Sequence, residues 1–167
     1  MLLWAHGMLG SPAGTKVHHL RQAGVELVAP DLRDLDLVDR IDRARAVLDS
    51  LLRDGHSVQL GGSSLGGLVV AVLAAERPSH PLIQRMVLAA PAVHICGAVD
   101  GAPAGLRAPA GLPVHIVHGS SDVVVPPQAS VDYAARSGPS VTLELVDDDH
   151  RLGRSLDHIL AAVRGGS

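Results

Sequence analysis

The stretch Gly61-Gly62-Ser63-Ser64-Leu65-Gly66-Gly67 constrains this chain more than any other. A short apolar run, Val58-Gln59-Leu60, enters it, and a helix-length apolar run from Leu65 to Ala75 leaves it. In such a strand–turn–helix passage, Gly-x-Ser-x-Gly holds one serine in a strained turn with its side chain exposed above a sheet. The glycines two before and two after it let strand and helix pack closely. Only Ser64 has glycine at both offsets, Gly62 and Gly66, whereas Ser63 would have Gly61 and Leu65. A Gly/Ser loop by itself is common, so the weight of the motif rests on whether an acid and a base follow in a workable order.

The surrounding chain alternates apolar strand-like runs with helical ones. Strands are expected at Leu2 to Ala5, Val25 to Ala29, Ser57 to Leu60, Ile83 to Ala89, Val114 to His118 and Val141 to Val146. Between them, helices are expected over about Ala13 to Ala23, with Ser11 as cap and Pro12 in the first turn, and over Leu37 to Arg53. Further helices are expected from Leu65 to about Glu76, Pro127 to Arg136 and Gly153 to Val163. Strands that read as continuous apolar runs and alternate with helices imply an α/β fold: about six mainly parallel strands with helices on both faces. Residues 1–167 are expected to form a single domain. Loops at the carboxyl ends of these strands carry His6 to Ser11, Ser64, Asp122 and His150, at the edge where open α/β sheets bind ligands.

Composition narrows the function classes. With no Phe, one Trp and one Tyr, the core must be aliphatic, and there is no aromatic surface on which bases could stack. The net charge of −3 and the scattered arginines leave no polybasic footprint, so no nucleic-acid partner is expected. No uninterrupted apolar run approaches about 18 residues, so no membrane span is expected. Cys96 is alone, which excludes an intramolecular disulfide framework and fits a reducing, cytoplasmic location. The start Met1-Leu2-Leu3-Trp4-Ala5 lacks the basic residues and long apolar core of a signal peptide.

A serine hydroxyl is a weak nucleophile until a neighbouring base takes its proton, and that base is held in one tautomer by a carboxylate on its other nitrogen. Ser64, Asp122 and His150 follow the chain order Ser…Asp…His, each after an expected strand. Asp147 and Asp148 lie beside His150, but carboxylates so near in sequence suit loop capping better than orienting the imidazole. His118 precedes the acid and reads as structural. His18, His19, His56, His80, His94, His115 and His158 show no paired zinc spacing, so no metal site and no cofactor are expected. Gly61 to Ser64 is not followed by Gly-Lys-Ser/Thr, which removes a nucleotide-phosphate reading.

Four segments resemble the compact single-domain bacterial α/β hydrolases, including the YqiA-like esterases. They are His6 to Pro12, Gly62 to Gly67, His118 to Pro126 (HGSSDVVVP) and Asp149 to Leu152 (DHRL). The resemblance implies a minimal α/β-hydrolase fold without a cap domain, with Ser64 as nucleophile, Asp122 as acid and His150 as base. It places Met8, after His6-Gly7, as one backbone N–H donor of the oxyanion hole. Leu65, directly after the nucleophile at a helix N-terminus, is the other. His6 is expected to brace the oxyanion loop. The resemblance also implies that the first strand, which already carries the oxyanion loop, matches the third of larger α/β hydrolases, without counterparts of their two leading strands. The Gly/Ala/Pro-rich stretch Pro91 to Pro113 stands where larger relatives insert a cap, and is long enough for a flap or short helix at most.

Three functions fit. One is hydrolysis of small acyl esters through an acyl-Ser64 intermediate. The second is thioester or peptide hydrolysis by the same residues. The third is a non-catalytic binding or interaction protein on the same fold. An intact Ser64, Asp122 and His150 favours the first two, and a shallow, exposed site is expected to favour small or flexible acyl esters.

Overall fold

Leu2 and Trp4 point to one side of their strand and Leu3 and Ala5 to the other, and all four are buried. A strand apolar on both sides needs cover on both sides, and the rest of the architecture supplies it. The computed structural model describes residues 1–166. In chain order the elements are β1 (Leu2–Ala5), α1 (Thr15–Gln22), β2 (Leu27–Val28), α2 (Leu37–Arg53), β3 (Val58–Ser63) and α3 (Leu65–Glu76). Then come β4 (Ile83–Ala89), a 3-10 turn (Val93–Ile95), β5 (Val114–Gly119), α4 (Pro127–Ser137), β6 (Val141–Val146) and α5 (Leu156–Arg164).

The six strands form one parallel sheet in the order β2-β1-β3-β4-β5-β6. The chain moves outward from β1 to β2, then crosses back and runs from β3 to the opposite edge. The direction reverses between β1 and β3, and at such a switch the loops leaving two adjacent strands diverge and open a crevice. The loop carrying His6 and the turn carrying Ser64 leave from these two strands.

One face of the sheet packs Leu2, Trp4, Val87 and Val117 against Val17 and Leu20 of α1 and Ile159, Ala162 and Val163 of α5. The other packs Leu3, Leu60, Met86, Leu88 and Ile116 against Ile41, Ala44 and Leu48 of α2, Leu65 and Leu68 to Ala74 of α3, and Tyr133 of α4. Helix α3 is apolar all round, and every residue from Leu65 to Ala74 is buried. A helix of that kind is stable only when enclosed, here by the sheet on one side and α2 on the other.

The structure departs from the sequence expectations at element ends, each time for a local reason. Helix α1 begins at Thr15 with Gly14 as its cap, not at Ala13 after Ser11. Ser11 heads a separate turn, its carbonyl accepting from Gly14 N–H at 3.0 Å and its Oγ from Ala13 N–H at 3.3 Å. Strand β2 is two residues rather than five, because Val25 N–H is taken by Leu20 O at 3.0 Å in closing α1. Helix α5 starts at Leu156 rather than Gly153, because Arg154 and Ser155 bond the Asp148 carboxylate. Strand β3 continues through Gly61 and Gly62 to Ser63. There the indole of Trp4 lies so close over Gly61 that a Cβ would come within 2.5 Å of it.

The segment 91–113 contains only the 3-10 turn. Its Val93, Ala102, Leu106 and Ala108 are buried, Arg136 Nε donates to Leu106 O at 2.9 Å, and Ala108 N–H donates to Ser137 Oγ at 2.9 Å. It packs down onto the α2 and α4 side of the molecule and builds no cap. No helix among the described residues is long and apolar enough to cross a membrane.

Candidate active site

The turn between β3 and α3 holds Ser64 at φ 54°, ψ −120°, a region a residue with a Cβ enters only when its surroundings impose it. The surroundings are backbone. Ser64 N–H donates to Ala89 O at 2.9 Å, and Ser64 O accepts from Gly67 N–H at 2.9 Å and Ala92 N–H at 3.0 Å. Gly66 touches the carbonyls of Ala5 and His6, and Gly62 touches the backbone of Gly66 and Gly67, so closely that neither position has room for a Cβ. The sharp turn leaves Ser64 half-buried at the carboxyl edge of the sheet.

His150 and Asp122 reach it from the far loops. His150 Nε2 lies 3.0 Å from Ser64 Oγ, and His150 Nδ1 lies 2.7 Å from Asp122 Oδ2. An ionised carboxylate only accepts, so Nδ1 carries the ring proton and Nε2 offers its lone pair to the serine hydroxyl. The Asp122 side chain is inaccessible to solvent and that of His150 is 20% exposed. Asp122 Oδ1 accepts from the N–H groups of Val124 and Val125, both at 2.8 Å. Burial is the largest influence on this carboxyl and opposes its ionisation. The hydrogen bonds from Val125, His150 and Val124 together outweigh it, holding the group below the ordinary aspartate range.

His118, fully buried on β5, has Nε2 3.0 Å from Val125 O and 3.1 Å from Asp122 Oδ2, and its Nδ1 lies 2.7 Å from Ser130 Oγ. Both ring nitrogens are thus engaged away from Ser64.

The loop that presents His150 is built on a different carboxylate. Asp148 Oδ1 accepts from Asp149 N–H at 2.8 Å, and Oδ2 from Arg154 N–H at 2.8 Å and Ser155 Oγ–H at 2.9 Å. Lys16 Nζ, on α1, fastens the same loop through Arg151 O at 2.5 Å. Asp148 is therefore a loop organiser rather than a partner of the imidazole. Burial again works against its ionisation, but the three hydrogen bonds and Arg154 leave its carboxyl lowered.

A group whose folded pKa lies below its unfolded value of about 3.9 stabilises the fold fully above that value, and less as pH falls through the folded one. Asp148→Asn is thus expected to cost about 2 kcal/mol at neutral pH. The deficit relative to wild type should be constant from pH 8 to 6 and shrink below about pH 4. Urea unfolding across this range measures it, and a deficit that grew toward low pH would contradict the assignment.

On the β1 side, His6 is buried and bridges two loops. Its Nδ1–H donates to Gly7 O at 2.8 Å, and its Nε2 accepts from Leu32 N–H at 3.0 Å. Burial depresses its proton affinity, opposed by the Gly7 carbonyl and assisted by Arg40, so the neutral form is favoured. Gly7 lies against Ser64, where a Cβ on it would sit 3.2 Å from both Ser63 O and Ser64 Cβ. The N–H groups of Met8 and Leu65 have no backbone acceptor among the described residues; Leu65 directly follows Ser64, and Met8 directly follows Gly7. Met8 and Leu9 are exposed on this loop, as are Val123 and Val124 beside Asp122.

Two clefts of about 630 and 320 Å³ lie at the opposite edge of the sheet around Arg77 and His80 and include none of these residues. Among the described residues, no group of three or more His, Cys, Asp or Glu side chains is placed to hold a metal ion.

Sequence reasoning missed Arg40 and the contact of His118 with Asp122. The first had a visible signal, since Arg40 falls on the stripe of α2 that carries Leu37, Ile41, Ala44 and Leu48 into the core. The second had none, because a buried histidine on a strand looks the same whatever it faces.

Solved structures share this architecture. A Xanthomonas campestris pv. campestris protein described as a "putative hydrolase of the alpha/beta superfamily" is 28% identical, with a TM-score of 0.75 over 96% of this chain and 94% of that one. A Xanthomonas campestris protein described as a member of the α/β serine hydrolases without lid is 23% identical, with a TM-score of 0.73 over 99% and 80%. An α/β serine hydrolase homologue from Coxiella burnetii is 18% identical, with a TM-score of 0.77 over 100% and 85%. No protein-family model and no curated protein sequence matches the chain. The fold is that of the α/β hydrolases, in its form without a lid. Its structural neighbours are described as hydrolases of that superfamily.

Proposed function

We propose that the protein is a serine hydrolase that cleaves small carboxylic esters through an acyl-Ser64 intermediate. The observation that carries this reading is the continuous hydrogen-bonded chain from Ser64 Oγ through His150 to the buried Asp122 carboxylate. In this mechanism Ser64 Oγ attacks the ester carbonyl while its proton passes to His150 Nε2, and Asp122 stabilises the resulting imidazolium. The Met8 and Leu65 N–H groups receive the negative charge that develops on the carbonyl oxygen, Leu65 with the help of the α3 dipole. The C–O bond to the alcohol then breaks and the alcohol leaves with the proton held by His150. A water molecule, deprotonated in turn by His150, releases the acid and restores Ser64.

The exposed Met8 and Leu9, which follow Gly7 on the loop that meets Ser64, favour an apolar acyl or alkyl group, and a site without a lid favours small or flexible ones. The four motif segments support a place among the compact YqiA-like esterases. The lone Cys96 supports a reducing, cytoplasmic setting, and the chain is read as a single acting domain.

Incubation with a fluorophosphonate, followed by peptide mapping in a mass spectrometer, is expected to show the adduct on Ser64. An adduct on Ser63, or no adduct, overturns the proposal. Turnover of a p-nitrophenyl ester series is expected to exceed that of matched thioesters and peptides. The reverse order would assign the same residues to thioester or amide hydrolysis.

A further inference from the structure

Arg40 is 2% exposed on the core side of α2, yet no carboxylate lies within 4.0 Å of its guanidinium among the described residues. Asp34 attracts it only from beyond that distance, and a buried charge with no ion pair is costly to a fold, so its retention calls for something that the charge does there. Its polar contacts are two carbonyls. Arg40 Nε donates to Leu35 O at 2.9 Å, which ties the guanidinium to the turn before α2. Arg40 Nη1 approaches Gly7 O at 3.5 Å, a distance at which attraction is chiefly electrostatic.

The Gly7 carbonyl is crowded with donors. His6 Nδ1–H reaches it at 2.8 Å and Gly10 N–H at 3.1 Å, with Arg40 completing the set. This carbonyl and the Met8 N–H belong to one planar peptide unit, which is trans, so the two groups point in opposite directions. Holding the oxygen toward His6, Gly10 and Arg40 therefore aims the N–H the other way and keeps the peptide from flipping. Donors on an amide oxygen also withdraw electron density from its nitrogen and strengthen the N–H as a donor. The Met8 N–H has no acceptor among the described residues, and Gly7 lies directly against Ser64.

We propose that Arg40 is a positioning residue of the active site: together with His6 it fixes and polarises the Gly7–Met8 peptide, so that the Met8 N–H and the buried positive charge favour the oxyanion over the neutral ester. This rests on the acyl-Ser64 reading above. The ground-state carbonyl carries little charge and the tetrahedral intermediate a full one, so the benefit of Arg40 falls on kcat rather than on KM. The arginine that burdens the fold thus lowers the barrier.

The test compares wild type with Arg40→Met, which keeps the aliphatic bulk, Arg40→Gln, which keeps a donor without the charge, and Arg40→Lys, which keeps the charge. Rates on a p-nitrophenyl ester are normalised to the fraction of enzyme titrated to completion by a fluorophosphonate, so that misfolded material does not count. Arg40→Met is expected to lower kcat by about 10- to 100-fold with KM changed less than about threefold, and to weaken a boronic acid that forms a tetrahedral adduct on Ser64 by the same factor as kcat. Its melting temperature should equal or exceed that of wild type. Arg40→Gln should fall nearly as far as Arg40→Met, while Arg40→Lys should keep most of the activity.

A merely structural arginine gives a different pattern: a lower melting temperature with normal kcat per titrated site, and this overturns the inference. Should Arg40→Met not fold, Arg40→Gln and Arg40→Lys decide by the same ratio, and equal kcat in both overturns it as well. Failure of the parent reading is distinct, because wild type would then neither hydrolyse the ester nor take the fluorophosphonate on Ser64, and both proposals would fall together.

Discussion

Replacing Ser64 by alanine is expected to lower kcat on a p-nitrophenyl ester by about 10⁶-fold, leaving only what substrate binding and the oxyanion donors supply. His150→Ala should lose nearly as much. The double variant should lose no more than the worse single one, because nucleophile and base act as a unit rather than in independent steps. The proposed mechanism requires this result. With Ser64 Oγ 3.0 Å from His150 Nε2, and His150 Nδ1 2.7 Å from Asp122, removing either end leaves the other with nothing to act upon.

Two controls sharpen the expectation. Ser63→Ala should remain active. His118→Ala should retain turnover that His150→Ala lacks, since both ring nitrogens of His118 are engaged away from Ser64. Ser64→Gly adds a second readout. It should be as inactive as Ser64→Ala yet more stable by about 1 kcal/mol, because glycine relieves a backbone held at φ 54°, ψ −120°. Steady-state kinetics with urea unfolding of each variant checks both. A Ser64→Ala enzyme within tenfold of wild type would end the proposed mechanism.

Gly66→Ala is the substitution expected to damage the fold most. The added methyl group would be driven into the carbonyls of Ala5 and His6, which belong to β1 and the loop leaving it. Neither side can yield cheaply. β1 is paired on both edges, and α3 is enclosed between the sheet and α2. Backbone overlap of this kind should cost about 3 kcal/mol or more and displace the His6 loop from Ser64. Gly153→Ala is the matched control, because a Cβ there meets nothing within 4 Å, and its effect should stay within about 0.5 kcal/mol. Urea midpoints of the two variants separate the cases. Wild-type stability in Gly66→Ala would mean that the close approach of α3 to β1 does not exist in solution.

Much of this site can be read along the chain. Gly62 and Gly66 distinguish Ser64 from Ser63 by spacing alone, and the structure shows why the spacing matters: each glycine is a point of backbone contact. The helix Leu37–Arg53 and the strands Ile83–Ala89 and Val141–Val146 follow from apolar periodicity with no adjustment. Element ends fared worse wherever a non-periodic partner a few residues away claimed a polar group. Val25 N–H closes α1 instead of extending β2, and Arg154 and Ser155 serve Asp148 instead of lengthening α5. Such partners leave no periodic trace.

By itself the sequence determined which residue types stand after which strands, and hence the order Ser64, Asp122, His150, the turn that strains Ser64, and the need for cover on both sheet faces. Hydrophobic periodicity and turn chemistry are local, acting over a few residues, so they are legible without the fold. Only the tertiary structure decided that β1 lies beside β3, which sets the His6 loop against Ser64. It alone gave Asp148 its work in tying down the His150 loop, seated His118 against Asp122, and buried Arg40 beneath the Gly7 carbonyl. Apart from His118 and Asp122, which are four positions apart, and the bonds of Asp148 within its own loop, those contacts join residues tens of positions apart, and their geometry depends on how the crossovers stack the strands, a choice made by the whole core at once.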